Sequence, residues 1–424
     1  MRKRHFIHLS RSDIALIIVC AIALFGRFLI APIALGDTRM WVRAGKYCYY
    51  HNPFTVYRYV AYAYPPVWLF FSWLTWILML PYDYPSTIYL TTVKSWLILA
   101  DGLTAFVIYW WIKKSGCKEW MGIVAASLYL VDPTTWKTSS NIGQLDNLNV
   151  LFLTLSAYFL NVDRPKLSAA FLGVAAMTKQ FSSVLVLPFL VYTYYKYKRR
   201  EWLKILVSCI GVMAIIALPF LVYTWDDFIV TYLYFNLSAS EIDLSHAATQ
   251  GFWGVVYAIY RADVGIPLVP LIQMRYYVFL AAILLPLIIL FLRPSWKVND
   301  VYLIPVLSFL MFSPQVFHYY FVSCIPFVIW SIIPERGHAI RYLPIFIVAV
   351  WWIYPLTTPF NLSKLADRLI YRGSVFVMFT VVIGKTYFEK FAKEPVFHIM
   401  EAISTVFKWK LPRLISDSRQ VINK

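Results

Sequence analysis

Charged residues are scarce in this chain of 424 residues: 14% are Asp, Glu, Lys or Arg, where a soluble globular chain carries roughly 25%, and 60% are hydrophobic. That balance excludes a soluble multidomain enzyme. Cysteine is sparse too. The five present (Cys20, Cys48, Cys117, Cys209 and Cys324) are scattered without a C-x-x-C pair, and three lie inside apolar runs, so neither a disulfide framework nor a zinc site is encoded. No Walker loop, dinucleotide glycine motif, H-E-x-x-H or nucleophile elbow occurs, so ATP-driven transport, redox work and peptidase chemistry lack their usual supports. Acidic residues are few, 21 against 39 Lys and Arg, for a net charge of +18. On an apolar chain that surplus points to cytoplasmic loops beside anionic lipid, and no nucleic-acid partner is expected.

What the chain does have is apolar runs of membrane-spanning length, recurring from Asp13 to Lys385. Spans are expected at about 14–35, 88–112, 120–136, 146–161, 167–178, 181–195, 202–225, 268–292, 300–313, 317–333, 342–356 and 370–386. The first lacks a small-residue cleavage site and reads as a retained span. The run 67–80 is too short to cross and reads as an interfacial helix within an outer loop 36–87. Excluding it as a span puts 26 Lys and Arg on the cytoplasmic side against nine outside, which fixes both termini as cytoplasmic. The expected organisation is an all-α polytopic membrane protein of about twelve transmembrane helices. One integral domain covers 1–386, with a long outer loop 226–267, and a basic amphipathic tail 387–424 rests on the cytoplasmic leaflet. The sequons at Asn236 and Asn361 fall in outer loops, and Glu241-Ile242-Asp243 is too slight a pattern for a metal site.

This topology gathers the unusual polar residues at one membrane depth, from several separate hairpins: Asp37, Asp132, Gln144, Asp146, Lys179, Gln180, Gln315 and His318. Ionisable residues near the bilayer are costly unless they face a cavity or a partner, so the cluster is a candidate site.

The motifs carrying these residues are specific in their order. Gly36-Asp37-Thr38-Arg39 follows the first span, and Tyr64-Pro65-Pro66 precedes the interfacial helix. Then come Lys94 to Asp101, Asp132-Pro133, Gly143-Gln144-Leu145-Asp146, Met177-Thr178-Lys179-Gln180, and Ser313-Pro314-Gln315-Val316-Phe317-His318-Tyr319-Tyr320. The series resembles the GT-C superfamily of membrane glycosyltransferases, and within it the polyprenyl (dolichyl)-phosphate-sugar-dependent glucosyl- and mannosyltransferases. The resemblance covers roughly the first 200 residues and one hairpin near 315.

It implies a GT-C-like bundle, a polyprenyl-phosphate sugar donor, a lipid-linked glycan or glycolipid acceptor, inversion at the anomeric carbon and an extracytoplasmic site. Asp37 takes the position of the general base, as sugar transfer to a hydroxyl requires; a turn Asp after Gly36 is the plain alternative. The departing lipid phosphate needs cations, for which Lys179, His318 and Arg39 are the candidates. Set against those roles are a salt bridge from Lys179 to Asp132 or Asp146, an interfacial His318, and pairing of Arg39 or Arg43 with Asp37 or the membrane surface. Gln144, Asp146, Asp132, Gln180 and Tyr64 are expected to support the sugar site, although Asp146 could cap its helix and Asp132-Pro133 could end one. Tyr57, Tyr59, Tyr62, Tyr64 and Trp68 read first as interfacial aromatics in contact with membrane lipid. Asp101 is expected to join helices through Arg27. No metal or other cofactor is assigned. The rival reading is a transporter or lipid-linked-glycan flippase using Arg27, Lys94, Asp101 and Arg275 as pathway charges.

Overall fold

A computed structural model describes residues 10–32, 38–60, 62–82, 86–234, 251–261, 267–292 and 296–333. These residues are almost entirely helical. In chain order the helices are α1 (Arg11–Ile30), α2 (Thr38–Tyr50), α3 (Val56–Tyr59), α4 (Pro66–Leu78), α5 (Thr87–Lys114), α6 (Glu119–Val131), α7 (Pro133–Trp136) and α8 (Asp146–Asn161). They continue with α9 (Pro165–Ala176), α10 (Val186–Lys196), α11 (Arg199–Ile229), α12 (Gly251–Arg261), α13 (Val269–Gln273), α14 (Arg275–Leu292), α15 (Val298–Phe312) and α16 (Ile325–Ile332). The expected spans 342–356 and 370–386, the tail 387–424, Asp37, Glu241, Asp243 and both sequon asparagines lie outside the described residues.

Among the described residues, α1, α5, α14 and the run Arg199–Tyr232 are long and apolar enough to cross a membrane. Their surfaces carry the signature of lipid as solvent. Along α1, Ile18, Ile22, Phe25 and Leu29 are all more than half exposed, while Leu16, Cys20, Ala23 and Arg27 are buried. An apolar stripe turned outward beside a core-facing stripe fits a helix bundle in a bilayer, where hydrocarbon needs no polar cover. The protein is an integral, multi-pass, all-α membrane protein.

Local sequence explains the helix ends. Ser10 and Asp13 close a reciprocal capping box at the start of α1. Asp132 breaks the expected span 120–136: it ends α6, and its carboxylate accepts the backbone N–H of Thr135 at 2.9 Å to start α7 behind Pro133. The π-helical turn Lys137–Ile142 then stops at Gly143, whose φ of +73° is left-handed. A Cβ there would meet the Lys94 side chain at 3.0 Å, so glycine serves both the turn and the packing.

The outer loop expected over 36–87 is more ordered than an irregular loop. Trp41, Ala44, Gly45 and Cys48 recur at helical spacing and bury one face of α2 against α4. Trp41 meets Trp68 edge to face at 4.8 Å. Tyr57, Tyr62 and Trp68 are buried, at 7%, 2% and 0% exposure, so these three are core residues and not an interfacial belt; Tyr59 alone is largely exposed. The segment is tied to α11, which carries Pro219 and is kinked at Thr224. Thr224 donates to the Phe54 carbonyl at 3.1 Å, and Arg58 pairs with Asp226 at 3.1 Å and Asp227 at 2.9 Å. The loop expected over 226–267 likewise holds the end of α11 and all of α12, whose Trp253 donates its indole N–H to the Phe312 carbonyl at 2.8 Å.

Candidate functional site

Four of the motif segments meet at one end of the bundle. The backbone N–H of Val67, just past Tyr64-Pro65-Pro66, donates to the Met177 carbonyl at 3.1 Å. Gln180 donates its amide to the Ala63 carbonyl at 2.7 Å. Lys179, extended between α9 and the 3-10 turn Gln180–Leu185, reaches Asp146 with Nζ–Oδ1 at 2.5 Å. Its ammonium also sits 3.7 Å from the centroid of the Tyr320 ring and 5.3 Å from that of Tyr319, which belong to the 313–320 hairpin. Lys179 and Asp146 are 2% and 0% exposed. Burial of an ammonium and a carboxylate is costly for each alone and is offset where they face each other.

The supporting residues fall into distinct places. Gln144 is buried in the turn before α8. Asp146 is the first residue of α8, after the N-cap Leu145, and its carboxylate pairs with Lys179. Asp132 is fully buried and engaged as the cap of α7. Tyr64 is half-buried and receives the Tyr57 hydroxyl on its carbonyl at 2.7 Å. Arg39 is exposed on the first turn of α2, and His318 opens the 3-10 helix His318–Cys324. Asp37 lies outside the described residues. Burial lowers the pKa of Lys137, in the turn leading to Gln144.

Beneath this group lies a second polar network. Arg27 pairs with Asp101 at 3.1 Å, both fully buried, and donates to the Thr135 hydroxyl at 2.8 Å. Asp101 also accepts from the Tyr129 hydroxyl at 3.0 Å and the Asn147 amide at 2.5 Å. Adjacent residues of α8 thus serve the two layers, Asp146 reaching Lys179 and Asn147 reaching Asp101. Lys94 donates to the carbonyls of Ala31, Ser140 and Asn141 at 2.8, 3.0 and 2.7 Å, fastening the end of α1 to the turn before Gly143. Arg275 donates to the Ile272 carbonyl at 2.9 Å, within its own helix pair. Arg27, Asp101, Lys94 and Arg275, the charges of the transporter reading, all have partners within the helical framework.

Sequence reasoning missed Tyr319 and Tyr320 as the cover of Lys179, and Asn147 as the link between layers. Asn147 carried a signal in being polar one residue after Asp146; the tyrosines carried none beyond adjacency to His318.

Among the described residues the protein is an all-α membrane bundle with charged and amide side chains buried together at one end. Residues 62–314, more than half of the chain, match glycosyltransferase family 87, and the protein belongs to that family. The match agrees with the membrane-glycosyltransferase resemblance read from the motifs; it leaves α2 and His318 outside its limits. Comparison with curated proteins finds no match. Among solved structures, the chain is similar to ArnT from Cupriavidus metallidurans bound to undecaprenyl phosphate, with 13% identity, a TM-score of 0.44, and coverage of 87% of this chain and 76% of that one. It is also similar to the Archaeoglobus fulgidus oligosaccharyltransferase in the apo form, with 13% identity, a TM-score of 0.45, and coverage of 88% and 56%. The chain thus spans little more than half the length of the oligosaccharyltransferase.

Proposed function

We propose that the protein transfers a hexose from a polyprenyl-phosphate-linked sugar to a hydroxyl of a lipid-linked glycan or glycolipid at the extracytoplasmic face of the membrane, inverting the anomeric carbon. In this reading Asp37 removes the proton from the acceptor hydroxyl as its oxygen bonds to the anomeric carbon, while the bond from that carbon to the phosphate oxygen breaks on the opposite face. The electron pair leaves with the lipid monophosphate. Lys179 turns from Asp146 toward the developing phosphate charge, with Arg39 and His318 as further partners, and Gln144, Gln180 and Tyr64 hold the sugar.

The observation that carries the reading is Lys179 itself. It is a cation buried at the meeting point of four motif segments, paired with Asp146 and backed by two tyrosines, in a member of a glycosyltransferase family. Low polarity around such a cation makes an arriving phosphate oxygen a strong partner. The test is transfer by the purified protein in nanodiscs, offered polyprenyl-phosphate sugars and nucleotide sugars with a panel of glycolipid acceptors. Product from the lipid-phosphate donors alone is expected. Product from nucleotide sugars without a lipid donor overturns the proposal.

A further inference from the structure

Away from the Lys179 cluster, α2 carries a second stripe. Arg43, Lys46, Tyr47 and Tyr50 stand at i, i+3, i+4 and i+7, two residues out of phase with the buried Trp41, Ala44, Gly45 and Cys48, and so occupy the opposite face. With His51, Tyr59 and Val60 they line an open surface groove of about 450 Å³. Its wall is built. Tyr47 stacks on Tyr59 with centroids 6.0 Å apart, tilts against His51 at 4.8 Å, and is fixed through its hydroxyl to the Thr55 hydroxyl at 2.8 Å. Among the described residues, no carboxylate lines the groove.

Two cations without an acid among the lining residues select an anion, and a guanidinium beside an ammonium suits phosphate oxygens. A flat wall of stacked rings suits the face of a sugar, since such side chains pair an apolar plane with a polar tip. A bilayer phospholipid headgroup shares the phosphate chemistry and also suits interfacial tyrosines, so the experiment must separate the two sources. We infer that this groove binds a phosphate-bearing saccharide and seats the phosphate and first sugar of the lipid-linked acceptor. The inference rests on the proposed transfer for its acceptor role, but the binding itself does not.

The experiment therefore has two arms. In the first, the full-length protein in zwitterionic nanodiscs is titrated with a short-chain prenyl pyrophosphoryl disaccharide, with inorganic pyrophosphate, with the phosphate-free disaccharide, and with nanodiscs containing phosphatidylglycerol as competitor. Wild type is expected to bind the full probe roughly tenfold or more tightly than either half of it. Arg43→Gln with Lys46→Gln removes the preference for phosphate, and Tyr59→Ala removes the preference for sugar. Equal affinity in wild type and the cation variant, or probe affinity no higher than that of pyrophosphate alone, overturns the proposal. So does displacement by phosphatidylglycerol, which would make the groove a lipid contact. Arg43, Lys46 and Tyr59 are exposed, so the variants are expected to keep wild-type melting temperatures, and a fallen melting temperature is checked against Arg43→Lys, which restores phosphate binding if charge is the cause. In the second arm, the cation variant raises KM for a lipid pyrophosphate-linked acceptor roughly tenfold, with donor KM and kcat held. A rise in donor KM instead overturns the acceptor assignment. Absence of any transfer by wild type refutes the proposed function and leaves the first arm to decide the groove.

Discussion

Asp146 accepts the ammonium of Lys179 at 2.5 Å, with the Tyr320 ring closing the other side of the cation at 3.7 Å. The pair joins the first turn of α8 to the break after α9, and through Tyr320 it reaches the 313–320 hairpin. It is at once a structural fastening and the only ion pair in the cluster among the described residues.

That double character makes the two partners separable. Asp146→Asn leaves a buried ammonium facing a neutral amide, and Lys179→Met leaves a buried carboxylate. Breaking a buried pair from one side costs roughly 3–5 kcal/mol, much of it from the charge left behind. Thermal unfolding in detergent is expected to show both single variants well below wild type, with the double Lys179→Met, Asp146→Leu variant recovered toward it. Turnover is expected to stay lost in the recovered double variant, because the phosphate partner is gone. A stable and active double variant would reduce the pair to framework.

A second pair tests the layer beneath. Arg27 and Asp101 are both fully buried and bonded to Thr135, Tyr129 and Asn147. Replacement of Arg27 by Met is expected to destabilise the protein by several kcal/mol, since Asp101 loses its counterion in a fully buried site. Stability measured by chemical unfolding in micelles checks this. A near-neutral effect would mean that the other donors to Asp101 suffice.

The close approach of α2 to α4 predicts a position where one methyl group matters. A Cβ on Gly45 would lie 2.4 Å from the Ser72 carbonyl oxygen, which is backbone and cannot swing aside. Gly45→Ala is therefore expected to push α2 away from α4 and to cost roughly 1–3 kcal/mol by overpacking. Quenching of Trp41 and Trp68 fluorescence by a water-soluble quencher should rise in the variant. Unchanged quenching would contradict the packing described.

Much of the helix plan was readable because apolar length and punctuating Pro, Gly and Asp are local properties. The helix starting at Asp146, the short helix after Tyr64-Pro65-Pro66 and the Arg27–Asp101 contact all follow from such signals, and all appear. Helix α2 was hidden because its apolar stripe is interleaved with Arg43, Lys46 and three tyrosines, so mean polarity suggested a loop although the spacing of Trp41, Ala44, Gly45 and Cys48 was helical. The burial of Tyr57, Tyr62 and Trp68 depends on α11 bending at Thr224 to meet them, a tertiary fact with no local trace. For the site, a salt bridge from Lys179 to Asp132 or Asp146 is the reading set against a phosphate role, and the pair with Asp146 forms. The choice of Asp146 over Asp132 was decided by the use of Asp132 as a cap.

The most direct test of the account is the transfer rate of Asp37→Asn and Asp37→Ala, measured at saturating polyprenyl-phosphate sugar alongside binding of that donor. Loss of the base predicts a fall in kcat of roughly 10²–10⁴ in both variants with donor affinity kept. Transfer at the wild-type rate by both variants would contradict it.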